Sequence, residues 1–417
     1  MSTLTNVHLE NRRISRQFYL IIWIEYALIY MTKNCFGAAM ASIVNEGFMT
    51  KSQTGLINAV FFIFYGPLQI VGGLLADRYN PENLIKIGLV LSGIINMLLF
   101  FFHDFVTMLI LWALNGIAQF AIWPAIVKII TSQLAPEDRK DGAFYIAFAS
   151  VGGLLVSYLA AALISKWEYN FLVSSCVLFV LALLWITECH NVDRFMIPDP
   201  KPSAVQQTTT FYTGKTGKLF RVSGFYFIIL FFFFRTVVDQ GVKTFSPTML
   251  MELYDGVTPA IGNLLNILII GTNLIGAFAI RRLYPKYIRS EVAAALIASV
   301  TALPLCGLFL LGGRLHLALM VVCLCGVSCL VNCGTVLINC CNIHYSQYGK
   351  SATTAGIINF VASVAIIVVN YGIALLADLY GWRVVLIVFC ACMVIGTAAI
   401  AYAVPRWKRF VKSNTEV

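Results

Sequence analysis

Apolar residues fall in long unbroken runs, separated by short polar stretches, along nearly the whole chain. Six such runs lie near 18–44, 54–76, 84–102, 106–132, 142–165 and 168–188, and six more near 224–250, 258–281, 290–313, 315–343, 351–377 and 382–404. Each is close to the roughly 20 apolar residues that an α-helix needs to cross a bilayer. Lipid offers no hydrogen bonds to backbone groups, so runs of this length satisfy them internally as helices. The pattern predicts an all-α membrane protein with twelve transmembrane helices. The first run is too long for the apolar part of a cleavable signal and is followed by no small-residue cleavage site, so it reads as the first span. The longest polar stretch, 189–223, carries Pro198, Pro200, Pro202 and a Thr/Gln-rich segment. It divides the pattern into a cytoplasmic N-terminus at 1–17, a six-helix bundle over 18–188, a cytoplasmic linker at 189–223, a second six-helix bundle over 224–404 and a cytoplasmic C-terminus at 405–417.

Basic residues orient these spans. Of 29 Lys and Arg, only Lys51, Lys166, Arg314 and Arg383 fall in odd-numbered loops, and Lys33, Lys128, Arg235 and Lys243 fall inside apolar runs. The other twenty-one sit in even-numbered loops and the termini. Cytoplasmic loops attract Lys and Arg, which places both termini and the linker in the cytoplasm. The same bias accounts for the net charge of +10 without nucleic acid as a partner. Composition agrees: 59% of residues are hydrophobic and 12% charged, against about 25% charged in soluble domains. A multi-pass protein of the plasma membrane is expected, acting as a monomer.

The halves look like a repeat. Met40 precedes Glu46 and Gly47 at the end of the first span, and Met249 precedes Asp255 and Gly256 at the end of the seventh, at the same spacing. Two pseudo-symmetric six-helix bundles joined by a cytoplasmic linker describe the major facilitator architecture, which implies a substrate site between the halves near the midplane. The loop after the second span runs from Gly73 through Asp77, Arg78 and Asn80 to Pro81. It resembles the signature loop of the major facilitator superfamily, whose acid helps to lock the cytoplasmic gate. The loop after the eighth span keeps Gly276, Arg281 and Arg282 but lacks the acid.

Further matches narrow the likeness. Tyr26, Tyr30, Lys33, Asn34, Phe36 and Met40 mark the first span, and Tyr65 and Gly66 the second. Gly116, Gln119, Trp123, Pro124 and Lys128 mark the fourth, and Phe245 through Thr248 the seventh. Asp378, Gly381 and Trp382 close the eleventh. Together these resemble the organophosphate:phosphate antiporters, the group of glycerol-3-phosphate and hexose-phosphate transporters. The resemblance implies that Tyr26, Tyr30, Tyr65 and Trp123 line a substrate site with the basic residue of the first span, here Lys33. Departures fall on the phosphate clamp. The group uses an arginine on the first span and another on the seventh, and this chain has Lys33 and Asp239 there. A lysine of the second span becomes Gln69, and a histidine of the fifth becomes Ala149. A guanidinium forks onto phosphate whereas an ammonium is a point charge.

Six charged residues lie within apolar runs and more than three residues from either end: Glu25, Lys33, Lys128, Arg235, Asp239 and Lys243. Each costs at least roughly 2.5–3.5 kcal/mol to insert, so each must face the interior, find a partner or snorkel. Arg235, Asp239 and Lys243 are spaced by four and share one helix face as plus, minus, plus. They are expected to bind substrate with Lys33, or to brace helices. Lys128, near a helix end, is expected to snorkel. Glu25 is expected to find a partner on the fourth or fifth span, or to carry a coupling proton, a role open to Asp239 as well. The cysteines Cys325, Cys329 and Cys333 share a face of the tenth span and read as a packing stripe. Neither metal nor cofactor is expected.

No nucleophile–base set or phosphate-cradling glycine loop is present, so the chain does not read as an enzyme. Two functions remain open. One is a secondary active transporter of a small organic anion or zwitterion, phosphorylated or not, working by alternating access as an antiporter or ion-coupled symporter. The other is a membrane sensor that binds a sugar phosphate without moving it.

Overall fold

The computed structural model describes residues 7–198, 216–284, 286–288, 290–348 and 350–415. Most of the expected linker, 199–215, lies outside the described residues, Pro200 and Pro202 among them. The chain divides into two compact units, one of Met1–Met49 with Leu56–Gln206 and one of Thr50–Gly55 with Gln207–Val417.

The elements of the first half run β1 (Val7–Leu9), α1 (Arg12–Lys33), α2 (Cys35–Asn45), α3 (Lys51–Arg78), α4 (Pro81–Phe101), α5 (Phe105–Gln119), α6 (Ile122–Ser132), α7 (Pro136–Leu163), α8 (Tyr169–Asp193) and β2 (Met196–Pro198). Asn80 and Pro81 have a local reason to follow Asp77 and Arg78. The Asn80 side chain accepts from the Glu82 amide at 2.8 Å, and Pro81 occupies the first helical position, where a missing N–H costs nothing. Asp104 caps α5 in the same way, accepting from Thr107, and these bonds hold its carboxyl below the usual carboxylate range.

Two apolar runs read as single spans are broken. Asn34 interrupts the first: its side chain donates to the Tyr30 carbonyl at 2.7 Å, and its own amide bonds to Met31. The side chain thereby competes with the backbone ladder. The fourth run breaks between α5 and α6, where Pro124 has no N–H to offer the carbonyl four residues back, at Phe120. Gly72 packs at that break, with Phe120 and Ala121 backbone atoms 3.0 Å from where a Cβ would stand.

The N-terminal segment contains a strand that the hydropathy pattern does not announce. β1 pairs antiparallel with β2, Leu9 opposite Met196, and the Leu9 amide donates to the Gln133 carbonyl at 2.8 Å. Leu9 is fully buried in a cluster with Phe18, Ile22, Ile129 and Trp185. The pair therefore ties the chain start to the end of α8.

The second half runs α9 (Thr216–Ser223), α10 (Phe225–Leu253), α11 (Pro259–Leu283), α12 (Glu291–Leu308), α13 (Leu317–Cys341), α14 (Ser351–Ile367), α15 (Ala374–Tyr380) and α16 (Trp382–Thr415). A widened turn, Val368–Ile373, links α14 to α15. Its core gathers Phe225, Ile228, Tyr345 and Trp407. Large apolar residues remain outside in both units, Ile70 and Leu163 at 74% exposure and Phe360 at 63%, as suits helices whose outer faces meet lipid. Among the described residues, 11 helical segments are long and apolar enough to cross a membrane. The fifth expected span is shorter in this sense: the apolar part of α7 is Phe148–Leu163, preceded by Glu137, Asp138, Arg139 and Asp141. The chain is thus a multi-pass, all-α integral membrane protein.

Small residues set the closest helix contacts. A Cβ on Gly276 of α11 would collide with the Cys329 carbonyl of α13, and Cys333 Sγ donates to the Gly276 carbonyl at 3.3 Å. The cysteine stripe is therefore a packing surface, and all twelve thiols are free. Overpacking of this kind costs typically 1–3 kcal/mol. We expect Gly276→Val to lower the melting temperature of purified protein, and Gly271→Val, where a Cβ meets nothing within 4 Å, to leave it nearly unchanged. Equal effects of the two would contradict this account of the contact.

Candidate functional site

The structure assembles the charged residues of the apolar runs into separate groups, described here unit by unit. In the first, Lys33 closes α1 at the Asn34 break and is only 7% exposed. Its ammonium lies 3.5 Å from the ring centre of Tyr65, and 5.2, 5.7 and 5.6 Å from those of Tyr30, Phe61 and Phe62. The Tyr26 ring meets that of Tyr30 edge-on, with centres 5.9 Å apart, and that of Trp123 at a tilt, with centres 4.9 Å apart. The five residues expected at a substrate site on this half, Tyr26, Tyr30, Lys33, Tyr65 and Trp123, thus form one continuous cluster. Gln69 hydrogen-bonds Tyr65. No carboxylate lies within ion-pair distance of Lys33 among the described residues. Ring faces attract a cation by about 0.5–2 kcal/mol each at best. They carry no net negative charge, so none of these rings supplies a counter-ion to the amine.

In the second unit, α10 carries the plus, minus, plus face. Asp239 shares a single oxygen, Oδ2, between Arg235 Nη2 at 3.1 Å and Lys243 Nζ at 2.8 Å. Both bases reach the same oxygen because one stands a turn above and the other a turn below. Its other oxygen receives the Asn273 amide at 3.4 Å. Arg235 also donates to the Thr335 hydroxyl. Asn273 in turn bonds Ser328 Oγ at 2.7 Å, Asn332 donates to the Asn273 carbonyl, and Asn266 donates to the Lys243 carbonyl. The trio is buried, with side-chain exposures of 3% for Arg235 and 5% for Asp239, and Lys243 the most open at 14%. Within this trio two basic side chains face one carboxylate.

Asn266, Asn273, Ser328 and Thr335 are polar neighbours of the trio that the sequence pattern does not single out. Their signal is faint but present: lone asparagines in an otherwise apolar α11 have little reason to be there unless they meet polar partners.

The residues of the signature-like loop form a separate group. Asp77 meets Lys128 Nζ at 3.3 Å, with both side chains open to solvent, at 68% and 38% exposure. Lys128 thus reaches the polar edge by pairing, in a bond weakened by water. Gly73 has no neighbour within 4 Å of where a Cβ would stand; the close approach belongs to Gly72. Arg78 is exposed. Glu25, by contrast, is 3% exposed, and its Oε1 has no hydrogen-bond partner among the described residues. The expected partner on the fourth or fifth span is not seen there.

Comparison with known proteins fixes the class. The family described as the Major Facilitator Superfamily matches residues 22–369. The chain belongs to the Major Facilitator Superfamily, a family of transport proteins rather than enzymes. It is 32% identical over 171 residues to the Membrane sensor protein UhpC of Escherichia coli, covering 40% of this chain and 39% of that one. It is 26% identical over 184 residues to a Probable hexose phosphate transport protein of Chlamydia pneumoniae, covering 43% and 40%. The chain therefore spans about two fifths of the length of the curated relatives it matches. In three dimensions it matches the crystal structure of nucleoside transporter NupG, with a TM-score of 0.68 at 13% identity over 94% of this chain and 98% of that one.

Removing one member of a buried ion pair costs roughly 3–5 kcal/mol, because the other is stranded. We expect Asp239→Asn to lower the thermal stability of detergent-purified protein by an amount of that order, and the double change Asp239→Asn with Lys243→Met to recover part of the loss. If the single variant melts with wild type, Asp239 does not neutralise these bases.

Proposed function

We propose that the chain is a secondary active transporter of a small organic anion, with a phosphorylated sugar or related phosphate ester as the leading class. The observation that carries this reading is Lys33, a buried ammonium held among aromatic rings with no carboxylate in reach among the described residues. An anionic ligand supplies the missing charge, and the rings of Tyr30 and Tyr65 suit the carbon skeleton beside it. A second cationic group, Arg235 with Lys243 around Asp239, offers positive charge and one negative charge along two turns of one face of α10. That mixture also suits a zwitterion. The match to a hexose phosphate transport protein supports the phosphate ester. Lys33 in place of an arginine makes a point contact rather than a fork.

In this reading the fold has twelve spans in two pseudo-symmetric six-helix bundles, with Phe148–Leu163 as the core of the fifth span. The protein works as a monomer in the plasma membrane, with both termini in the cytoplasm, by alternating access as an antiporter or ion-coupled symporter. Gly73, Asp77 and Arg78 act at the cytoplasmic gate. The exposed Asp77–Lys128 pair is weak enough to break and re-form within a cycle.

A second reading has its own observation. The match to a membrane sensor protein supports a chain that binds a sugar phosphate and signals without moving it. Counterflow in proteoliposomes separates the two. A transporter preloaded with a hexose phosphate accumulates labelled hexose phosphate, and a sensor does not.

Two variants follow from the transport reading. Lys33→Ala should abolish counterflow while the protein remains folded and inserted, and normal uptake kinetics in that variant would remove Lys33 from the site. Asp77→Asn should slow exchange with little change in ligand affinity, measured by equilibrium binding beside exchange rate. Lost affinity with an unchanged turnover of the bound fraction would remove Asp77 from the gate.

A further inference from the structure

One buried charged side chain has no place in the substrate reading. Glu25 lies on α1, eight residues before Lys33, about 12 Å along the axis at the helical rise. It is 3% exposed, on a helix whose Ile22, Tyr26 and Ile29 join the buried apolar cluster that also holds Trp185. Its Oε1 has no hydrogen-bond partner among the described residues, and no base there comes within ion-pair distance.

The charged and titratable groups on the elements around it are otherwise engaged or of the wrong sign. α8 carries the acid Glu188, and just past its end Arg194 is turned to His190 at 3.2 Å. On α7, Asp138 holds Arg12 and Arg16 at 3.4 Å each, and Arg139 is bound to the carbonyls of Ser132 and Leu134. Tyr145 of α7 offers its carbonyl to Trp23, and Tyr19 spends its hydroxyl on Gly142. On α6, Lys128 is paired to Asp77. On α4, Glu82 is itself buried and accepts from Gln133. α2 contributes Cys35, β1 contributes His8 ahead of the first turn, and α1 itself contributes Tyr26 and Lys33. Lys33 is taken up by its rings.

A carboxylate withdrawn from water without a cation is among the most costly groups a protein can hold, and the acid form removes most of that cost. We propose that Glu25 is a proton-binding site: a carboxyl kept as the neutral acid while α1 is packed as seen here, which gives up its O–H proton to water when the transport cycle wets this face of the helix and takes it back on return. This rests on the transport reading and adds the coupling ion to it, a proton moving with the organic anion. The proton partly offsets the charge the anion brings in.

The test reads the proton itself. Full-length protein in lipid nanodiscs, labelled with carbon-13 at the glutamate side-chain carboxyl, is followed by infrared spectroscopy at neutral pH. The account predicts an isotope-sensitive carbonyl stretch of a protonated glutamic acid in the wild type and its loss in Glu25→Gln. No such band in the wild type, which needs no variant to fold, overturns the proposal, as does a band that survives in Glu25→Gln. In proteoliposomes, Glu25→Gln should keep hexose phosphate counterflow, which needs no net proton movement, and lose uptake driven by a pH gradient. Gradient-driven uptake unchanged in the variant overturns coupling through Glu25. A wild type with the band but without counterflow would set aside the transport reading while supporting the proton site.

Discussion

A cation that has left water inside a bilayer must be answered by a nearby negative charge, and the two ways in which this chain answers its cations organise its chemistry. On α10 the answer is internal. Asp239 stands one turn from Arg235 and one turn from Lys243 and serves both through one oxygen, while Asn273, Ser328 and Thr335 fill out the hydrogen bonds. On α1 the answer is withheld. Lys33 has aromatic faces around it and no carboxylate among the described residues. A pocket of this kind is stable enough to fold yet gains when an anion arrives, which is the property a substrate site needs.

The backbone cooperates with this placement. Lys33 occupies the last position of α1 because Asn34 takes the Tyr30 carbonyl with its side chain and stops the ladder. Trp123, which extends the aromatic cluster through Tyr26, stands just after the break that Pro124 imposes on the fourth run. Interrupted helices leave backbone groups free at membrane depth, and such breaks gather where ligands bind. Gly72 against Phe120 and Ala121, and Gly276 against Cys329, show the other demand of a lipid-solvated fold, that helices meet through residues small enough to let backbones touch.

Much of this was legible in the sequence because hydropathy and charge are local properties. Runs of apolar residues mark spans wherever they fall, and the spacing of Arg235, Asp239 and Lys243 by four places them on one face before any neighbour is known. What was not legible depends on contacts between distant segments. Nothing in Val7–Leu9 or Met196–Pro198 alone marks a strand, since each needs the other. The partners of Asp239 on α11 and α13 are ordinary polar residues, identifiable only once helix packing brings them to it. Gly73 belongs to the recognised loop motif, but space around it is open and Gly72 makes the contact, a difference of one residue that rotates a helix position by about 100°. For Glu25 the sequence leaves open a partner on the fourth or fifth span or a bound proton, and the packing leaves its Oε1 without a partner among the described residues.

In the proposed function, Lys33 is a buried cation completed by its ligand. Thermal unfolding of purified wild type with a hexose phosphate, and separately with the parent hexose at equal concentration, tests it most directly. A ligand at a hundred times its dissociation constant stabilises the native state by about 2.7 kcal/mol. The account predicts a clear rise in melting temperature with the phosphate ester, none with the neutral sugar, and loss of the rise in Lys33→Gln. Equal shifts with both sugars, or a shift that persists undiminished in Lys33→Gln, would contradict it.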